Sequence, residues 1–219
     1  PGSYYFLDYV ADALAAADAL GWERFSLLGH SLGAGVSVLA AGAAPARLER
    51  LVLLEGMGPL TERDEAAPDV LARAIAAEAR RRGRGRRPPL LESIDEAARL
   101  RLAASPLTEA AARALVARSL QEVEGGLTWR TDPRLRQPSR ARLTEAQTLA
   151  FLRAVACPTM IVRARDGFSF DPEITRARVA ALRRAQVVEV PGRHHAHLDD
   201  PAPVAALVGP FLRGDREAS

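Results

Sequence analysis

Apolar residues follow a helical and then a strand-like pattern at the start of the chain. From Phe6 to Leu20 they recur every three or four positions, which predicts a helix with one buried face that ends at Gly21. The next apolar run, Phe25 to Leu28, is short and continuous, and a second such run covers Leu51 to Leu54. Continuous rather than alternating apolar residues indicate parallel strands covered on both faces.

A helix is predicted between these two strands, and the same pattern returns near the C-terminus. The Ala-rich stretch Leu32 to Ala44 joins the strands into one right-handed βαβ unit. Further strands are predicted at Pro158 to Val162 and at Val187 to Val190, separated by a helix at about Glu173 to Arg184 and followed by one at about Pro203 to Leu212. We therefore predict an α/β fold with a mostly parallel sheet flanked by helices.

The middle of the chain has a different character. Between residues 56 and 156, Ala- and Arg-rich helical segments are broken by prolines and by Gly125-Gly126, and we recognise no strand-like run. We interpret this part as a helical cap inserted into the sheet domain. The predicted core then comprises residues 1–58 and 148–219, and the predicted cap comprises residues 59–147.

Composition and charge narrow the class of protein. With 219 residues, 48% of them hydrophobic, the chain can bury one sizeable core. The formal net charge is only +3, so it gives no reason to expect a nucleic-acid partner. The basic run at residues 80–87 lacks interleaved aromatic residues for base stacking, and we interpret it as a solvated loop of the cap.

The single cysteine and the lack of long apolar runs bear on the compartment. Cys157 cannot form an internal disulfide, and its position before a proline at a strand start is typical of a small buried side chain. No apolar run approaches the ~20 residues that cross a bilayer, and no signal peptide is recognised. We therefore predict a cytoplasmic protein without a membrane span.

A serine stands between the first predicted strand and the helix that follows it, in the segment Gly29-His30-Ser31-Leu32-Gly33. G-x-S-x-G in that setting is typical of a nucleophile elbow, a tight turn that presents the serine. We expect both glycines to be needed because a Cβ would clash there. A serine that merely caps the helix is the alternative, which the flanking strand and helix disfavour. The backbone N–H of Leu32 is the expected oxyanion-hole donor.

A serine nucleophile needs a general base, and the chain has four histidines. His30 lies inside the elbow, where we expect a structural role. His194, His195 and His197 follow the last predicted strand, at the same edge of the sheet as the serine. Three neighbouring histidines are also compatible with a metal site. Because neither cysteine nor a carboxylate at typical ligand spacing accompanies them, we expect no metal, and no organic cofactor is implied.

Several segments together resemble the α/β-hydrolase fold family. They are the elbow, Gly192-Arg193-His194 after the last strand, the strand that opens at Pro158-Thr159, and the helical insertion. Three further stretches are similar to the serine hydrolase-like group within that family, namely Asp8 to Trp22, Leu53 to Pro59 and Asp132 to Arg136. The resemblance spans essentially the whole chain and implies a Ser–His–acid triad.

The resemblance also suggests which residues complete the triad. The family's base is the first histidine after the glycine of the last loop, which is His194 here, and His195 and His197 would lie in the pocket or behind the base.

Two positions are open for the acid. Many members carry it after the strand at 159–163, which offers Asp166 and Asp171, although Gly167 occupies its usual place. Others carry it at the end of the strand after the nucleophile helix, where Glu55 stands. We favour Glu55 and keep Asp166 as the alternative.

The resemblance also bears on how much of the family's sheet this chain contains. The resemblance implies that the first strands of the sheet are missing, on the order of 60–80 residues at about 30 per strand–helix–strand unit, together with the second oxyanion donor.

The expected reaction is hydrolysis of an ester-type acyl bond in a small, moderately apolar substrate. Hydrolysis of a carbon–carbon bond or acyl transfer is the alternative among enzymes. A non-catalytic or truncated hydrolase-like protein that binds a small molecule or a partner protein is the alternative outside them.

Overall fold

A computed structural model describes residues 4–82 and 89–215, so residues 83–87 of the basic run lie outside the described part. The helices and strands in chain order are α1 (Asp8–Ala19), β1 (Phe25–His30), α2 (Leu32–Ala43), β2 (Leu48–Leu54), α3 (Ala67–Arg82), α4 (Ile94–Ala104), α5 (Glu109–Ser119), β3 (Leu120–Val123), β4 (Gly126–Trp129), α6 (Glu145–Ala154), β5 (Thr159–Asp166), α7 (Pro172–Ala181), β6 (Ala185–Arg193), α8 (Ala196–Asp199) and α9 (Pro201–Arg213).

Four strands form the central sheet, in the order β1-β2-β5-β6, and every neighbouring pair is parallel. Along β2, Leu51 and Leu53 belong to the hydrophobic core on one face, and Val52 belongs to the core on the other. All three side chains are fully buried. Both faces of this strand are thus covered, which explains its continuous apolar run and confirms the predicted parallel α/β sheet.

Helix α2 packs on one face of the sheet, at the half formed by β1 and β2. Every residue of the stretch 34–41 is buried, and all of them except Leu39 are small or β-branched. The helix contacts β1 and β2 on one side and α1 and α6 on the other. The first turn of α2 directly follows Ser31, and the helix as a whole lies between the sheet and the neighbouring helices.

The opposite face of the sheet is covered by α9. Its side chains Val204, Val208 and Phe211 recur at helical spacing and are buried together with Met160 and Val190 of the strands. The two parallel strands β5 and β6 continue past their apolar runs and pair as far as Asp166 and Arg193. Among the described residues, no helix is both long enough and apolar enough to cross a membrane.

The insertion differs from its prediction in one respect. The expectation that it holds no strand is wrong, because β3 and β4 form an antiparallel hairpin. Gly125 and Gly126 have φ of 90° and 148°, which suits a tight turn that other residues rarely make. The strands were missed because each has only four residues and β3 begins directly after α5. A separate hydrophobic cluster, which includes Ala112 and Val116, forms between these elements.

Candidate active site

The turn at Ser31 is strained and firmly held. Ser31 has φ 54° and ψ −114°, a left-handed conformation that is costly for a residue with a side chain. Its backbone N–H donates to the carbonyl oxygen of Leu54 at 2.9 Å, and its own carbonyl accepts from Ala34 at 3.0 Å. Strand β1 and helix α2 fix the two sides of the turn. Ser31 therefore lies at the carboxyl end of the sheet.

The two glycines of this turn serve different purposes. A Cβ on Gly29 would lie less than 3.0 Å from the Gly33 carbonyl oxygen and from Ser37 Oγ, so a side chain there requires rearrangement. A Cβ on Gly33 would meet nothing within 4 Å. The expectation that both glycines avoid a clash is thus wrong for Gly33. The carbonyl of Gly33 instead accepts a hydrogen bond from Ser37 Oγ at 2.8 Å.

The loop after β6 brings His194 between Ser31 and Glu55. Its Nε2 lies 3.0 Å from Ser31 Oγ, and its Nδ1 lies 3.1 Å from Glu55 Oε2. A carboxylate can only accept, so Nδ1 carries the ring proton of the neutral imidazole. The lone pair on Nε2 is then free to accept the hydroxyl proton of Ser31.

Glu55 is buried and well supported. It directly follows β2, has φ 51°, and only 5% of it is exposed. Oε1 accepts from the backbone N–H of Ala164 at 2.6 Å, and Oε2 accepts from that of Phe168 at 2.8 Å in addition to His194. These donors offset the cost of removing a carboxylate from water, and they also fix its orientation.

The two other candidate acids lie elsewhere. Asp166 is exposed at the end of β5 and, within the described part of the chain, has no hydrogen bond to His194. Asp171 caps α7 and accepts from the backbone N–H groups of Glu173 and Ile174 at 2.7 and 3.1 Å. The structure thus brings Glu55, but neither aspartate, to His194.

Gly167 explains how an acid on β2 reaches this position. A Cβ at residue 167 would overlap the carboxylate of Glu55. The Glu55 side chain therefore occupies space that any side chain at residue 167 would need. The sequence carried a signal of this arrangement, because a glycine stands where the family usually has its acid. The backbone donors of Ala164 and Phe168 had no signal in the sequence, since they depend on how β5 and its loop pass Glu55.

The remaining histidines lie behind His194. His30 Nε2 donates to the carbonyl oxygen of His194 at 2.8 Å, in keeping with the expected structural role. Burial lowers the pKa of both His30 and His195 to about 4 and also lowers the pKa of His197, so all three are neutral at pH 7. His195 and His197 do not line the cavity at Ser31. The sequence left two places open for these histidines, in the pocket or behind the base, and the structure favours the position behind the base.

A largely apolar cavity of about 440 Å³ opens at Ser31 and His194. The segment after β5 contributes aromatic rings to it, and the segment 139–143 of the insertion contributes Arg142. Leu32 also lines it, and this residue begins α2, so its backbone N–H is among the first-turn donors that a helix leaves without a partner. The apolar lining residues are Phe6, Leu7, Leu32, Pro59, Leu60, Ala141, Leu143, Phe168 and Phe170.

Comparison with known proteins identifies relatives that match nearly the whole chain. Residues 1–207 match the Alpha/beta hydrolase family. A serine hydrolase-like protein of Danio rerio is 31% identical in a 220-residue alignment that covers 96% of this chain and 67% of the relative. One of Dictyostelium discoideum is 27% identical in a 228-residue alignment that covers 98% of this chain and 63% of the relative. This chain thus spans about two thirds of the length of these curated relatives.

A solved structure is similar over nearly the whole chain. The crystal structure of the hypothetical protein PA1622 from Pseudomonas aeruginosa PAO1 is 43% identical, with a TM-score of 0.86. The match covers 97% of this chain and 74% of that one.

Proposed function

This chain belongs to the alpha/beta hydrolase family, and we propose that it is a serine hydrolase that cleaves an ester-type acyl bond in a small, moderately apolar substrate. One observation carries the proposal. Two consecutive hydrogen bonds run from Ser31 Oγ through the imidazole of His194 to the carboxylate of Glu55, at the edge of an apolar cavity. A serine hydroxyl is a weak nucleophile by itself, and this arrangement supplies both a base and the group that orients the base.

In the first half of the reaction, Ser31 Oγ attacks the carbonyl carbon of the ester. Its proton moves to Nε2 of His194, and the π electrons of the carbonyl move onto the oxygen. Glu55 stabilises the imidazolium that forms, and the backbone N–H of Leu32 donates to the oxyanion. The tetrahedral intermediate then collapses. His194 returns its proton to the departing alkoxide, and the acyl group remains on Ser31.

In the second half, water releases the acyl group. Nε2 of His194 takes a proton from the water as its oxygen attacks the acyl carbon. Collapse of the second intermediate breaks the bond to Ser31 Oγ, which recovers its proton from His194. The products are an alcohol and a carboxylic acid, and the enzyme returns to its starting state.

The cavity supports an apolar acyl or alcohol group in the substrate. Its volume of about 440 Å³ falls within the range of small-molecule sites, and Phe168 and Phe170 supply aromatic surface. We treat residues 59–147 as the cap of this site, since Leu60 and the segment 139–143 both line the cavity. The names of the two serine hydrolase-like relatives agree with a serine nucleophile.

Covalent labelling of this chain with a fluorophosphonate tests the proposal directly. The reagent phosphonylates an activated serine with loss of fluoride, so intact mass should show one adduct per chain. Ser31→Ala should remove the adduct, and His194→Gln should slow its formation by at least about 100-fold, the contribution typical of a general base. A folded wild-type chain that does not react would contradict the proposal and favour a binding protein of the same fold.

A further inference from the structure

Three histidines lie together behind the proposed base. His30 ends β1, His195 precedes α8, and His197 lies within α8. One ring nitrogen from each lies within 4.8 Å of a ring nitrogen of the other two. The ring centroids of His30 and His197 are 4.3 Å apart, and those of His30 and His195 are 5.0 Å apart. Across residues 4–82 and 89–215, this is the only cluster of metal-ligating side chains with donor atoms so close.

Hydrogen bonds determine which ring nitrogens remain available. His30 Nε2 donates to a carbonyl oxygen, so its Nδ1 keeps a lone pair. His195 Nε2 lies 3.3 Å from the Arg101 guanidinium, which can only donate. The other nitrogen of that ring, Nδ1, is buried and has no hydrogen-bond partner. His195 as a whole is only 8% exposed, so water does not readily reach this atom.

We propose that His30, His195 and His197 form a binding site for a late first-row divalent cation of the Zn²⁺ class, separate from the Ser31–His194–Glu55 triad. Neutral imidazole is a preferred ligand of Zn²⁺, Cu²⁺ and Ni²⁺. A cation at Nδ1 of His195 supplies the partner that this buried atom lacks. The Nδ1 proton then moves to Nε2, and Arg101 turns away from the ring. Three protein nitrogens leave a fourth position of the metal for water.

Charge and geometry define what binding requires. The negative charge of Asp199 acts on both His195 and His197 and favours a cation there, whereas Arg101 opposes it. Tetrahedral Zn²⁺ holds nitrogens at about 2.0–2.1 Å, which puts ligating nitrogens about 3.4 Å apart. The ring nitrogens, which lie within 4.8 Å of one another, must therefore approach by up to about 1.4 Å. His197 lies on the four-residue helix α8, so this closure includes a shift of α8 towards β1.

A metal ion bound at this site should affect the position of His194 in the triad through one hydrogen bond. His30 Nε2 holds the carbonyl oxygen of His194, so a shift of the His30 ring moves the backbone of the proposed base. We therefore expect bound Zn²⁺ to slow the proposed hydrolysis without occupying the substrate cavity. The binding itself does not depend on the proposed function.

Equilibrium dialysis of the chelator-treated chain against Zn²⁺ tests the site. The wild type should bind one Zn²⁺ per chain, and both His197→Gln and His30→Gln should weaken binding at least tenfold. His194→Gln is the matched control, because it removes the one histidine outside the site, and it should bind Zn²⁺ like the wild type. Loss of binding in His194→Gln together with retention in His197→Gln would place the ion at the triad and overturn the proposal. Absence of saturable binding to the wild type would overturn it as well.

A second measurement needs no variant and guards against substitutions that prevent folding. Co²⁺ in a tetrahedral nitrogen-rich site absorbs visible light strongly, and Zn²⁺ displaces it. The wild-type chain should show this absorption with one Co²⁺ per chain and should lose it on addition of Zn²⁺. A spectrum identical to that of hydrated Co²⁺ contradicts a three-histidine site. Fluorophosphonate labelling of the metal-free chain reports separately on Ser31, so failure of either proposal can be recognised independently.

Discussion

At the scale of single residues, the carboxylate beside His194 comes from the end of β2 rather than from the end of β5. Glu55 accepts from His194 and from two backbone N–H groups, whereas Asp166 points into solvent one strand away. Backbone geometry explains the difference. The positive φ of Glu55 turns its side chain under β5, and Gly167 leaves the space for it.

Glu55→Gln and Asp166→Asn should therefore behave very differently. Loss of the buried negative charge removes the stabilisation of the imidazolium and permits the wrong tautomer of His194, so kcat for ester hydrolysis should fall on the order of 10⁴-fold. Asp166→Asn should stay within about twofold of the wild type, as for an exposed residue away from the site. Steady-state kinetics of the two variants, each checked for folding by circular dichroism, decides between them. Similar losses in both would remove Glu55 from its proposed role.

A methyl group at residue 167 should disturb the same carboxylate. The backbone of Gly167 is outside the left-handed region, so Gly167→Ala is tolerated by the main chain, but its Cβ would overlap the Glu55 carboxylate. Displacement of Glu55 should slow fluorophosphonate labelling of Ser31 at least about tenfold, the loss expected for about 1.4 kcal/mol of barrier.

Gly33→Ala is the matched control for this substitution. It places the same methyl group beside the turn at Ser31, where nothing lies within 4 Å, and it should label at the wild-type rate. If Gly167→Ala labelled as fast as Gly33→Ala, the close approach of Glu55 to residue 167 would not matter for the triad.

At the scale of the elements, helices α6 and α7 are joined by an ion pair beside the core. Arg178 on α7 is only 5% exposed, and its Nε and Nη2 donate to the two carboxylate oxygens of Glu145 on α6 at 2.8 and 2.6 Å. The carboxylate of Glu145 thus compensates for the burial of the guanidinium charge. A pair of this kind stabilises little in total, but removal of one partner leaves the other uncompensated.

Glu145→Gln should lower the free energy of unfolding by about 3 kcal/mol, because it leaves the Arg178 charge buried without a counter-ion. Arg178→Met, which removes the charge and keeps the volume, should cost less. Urea unfolding at pH 7 measures both. Greater destabilisation by Arg178→Met than by Glu145→Gln would contradict this assignment.

The pH dependence of the same pair has a definite sign. Hydrogen bonding to Arg178 lowers the pKa of Glu145 below its usual value of 4.5. A folded-state pKa below the unfolded one means that the pair contributes its full stability above that usual value and loses it as the pH falls through the lowered pKa. The difference in unfolding free energy between the wild type and Glu145→Gln should therefore shrink on acidification. A difference that grew towards low pH would require another explanation.

Elements were predicted well where they are buried in the sheet and less well in the insertion. The run that became β2 is continuous and apolar because helices cover both faces, and this pattern needs no knowledge of the neighbours. The same expectation is wrong for β1, where Leu28 is 44% exposed. The hairpin of β3 and β4 was missed because its strands are short, mix polar with apolar residues, and form through pairing with each other. Gly125-Gly126 was its only strong local signal.

At the scale of the whole molecule, three hydrophobic clusters divide the chain. Two lie on the faces of the central sheet, and the third lies within the insertion. Polar contacts link the insertion to the loop that carries the proposed base. The carboxylate of Asp199 accepts from the backbone N–H of Thr108 at 2.6 Å, and Arg101 donates to His195. The insertion therefore has its own small core, and these polar contacts join it to the segment that follows His194.

Hydrogen exchange should show this division. Amides of α4 and α5 should exchange through partial opening, because their cluster is small, while those of α2 and β2 should exchange only through global unfolding. Mass spectrometry of the exchanging chain measures both sets. Asp199→Ala should speed exchange at the start of α5 and leave α2 unchanged. Equal protection of α2 and α5 would mean that the insertion and the sheet open as one unit.

The parallel sheet, the turn at Ser31 and the loop that carries His194 could all be predicted from local patterns. These patterns are continuous apolar runs, a serine between glycines after a strand, and histidines after the last strand. Long-range packing was needed to place Glu55 rather than Asp166 beside His194, to separate the roles of Gly29 and Gly33, and to bring His30 beside His195 and His197. Each of those outcomes depends on distances between residues far apart in the chain, which the packing of β1, β2, β5 and β6 sets and no local pattern contains.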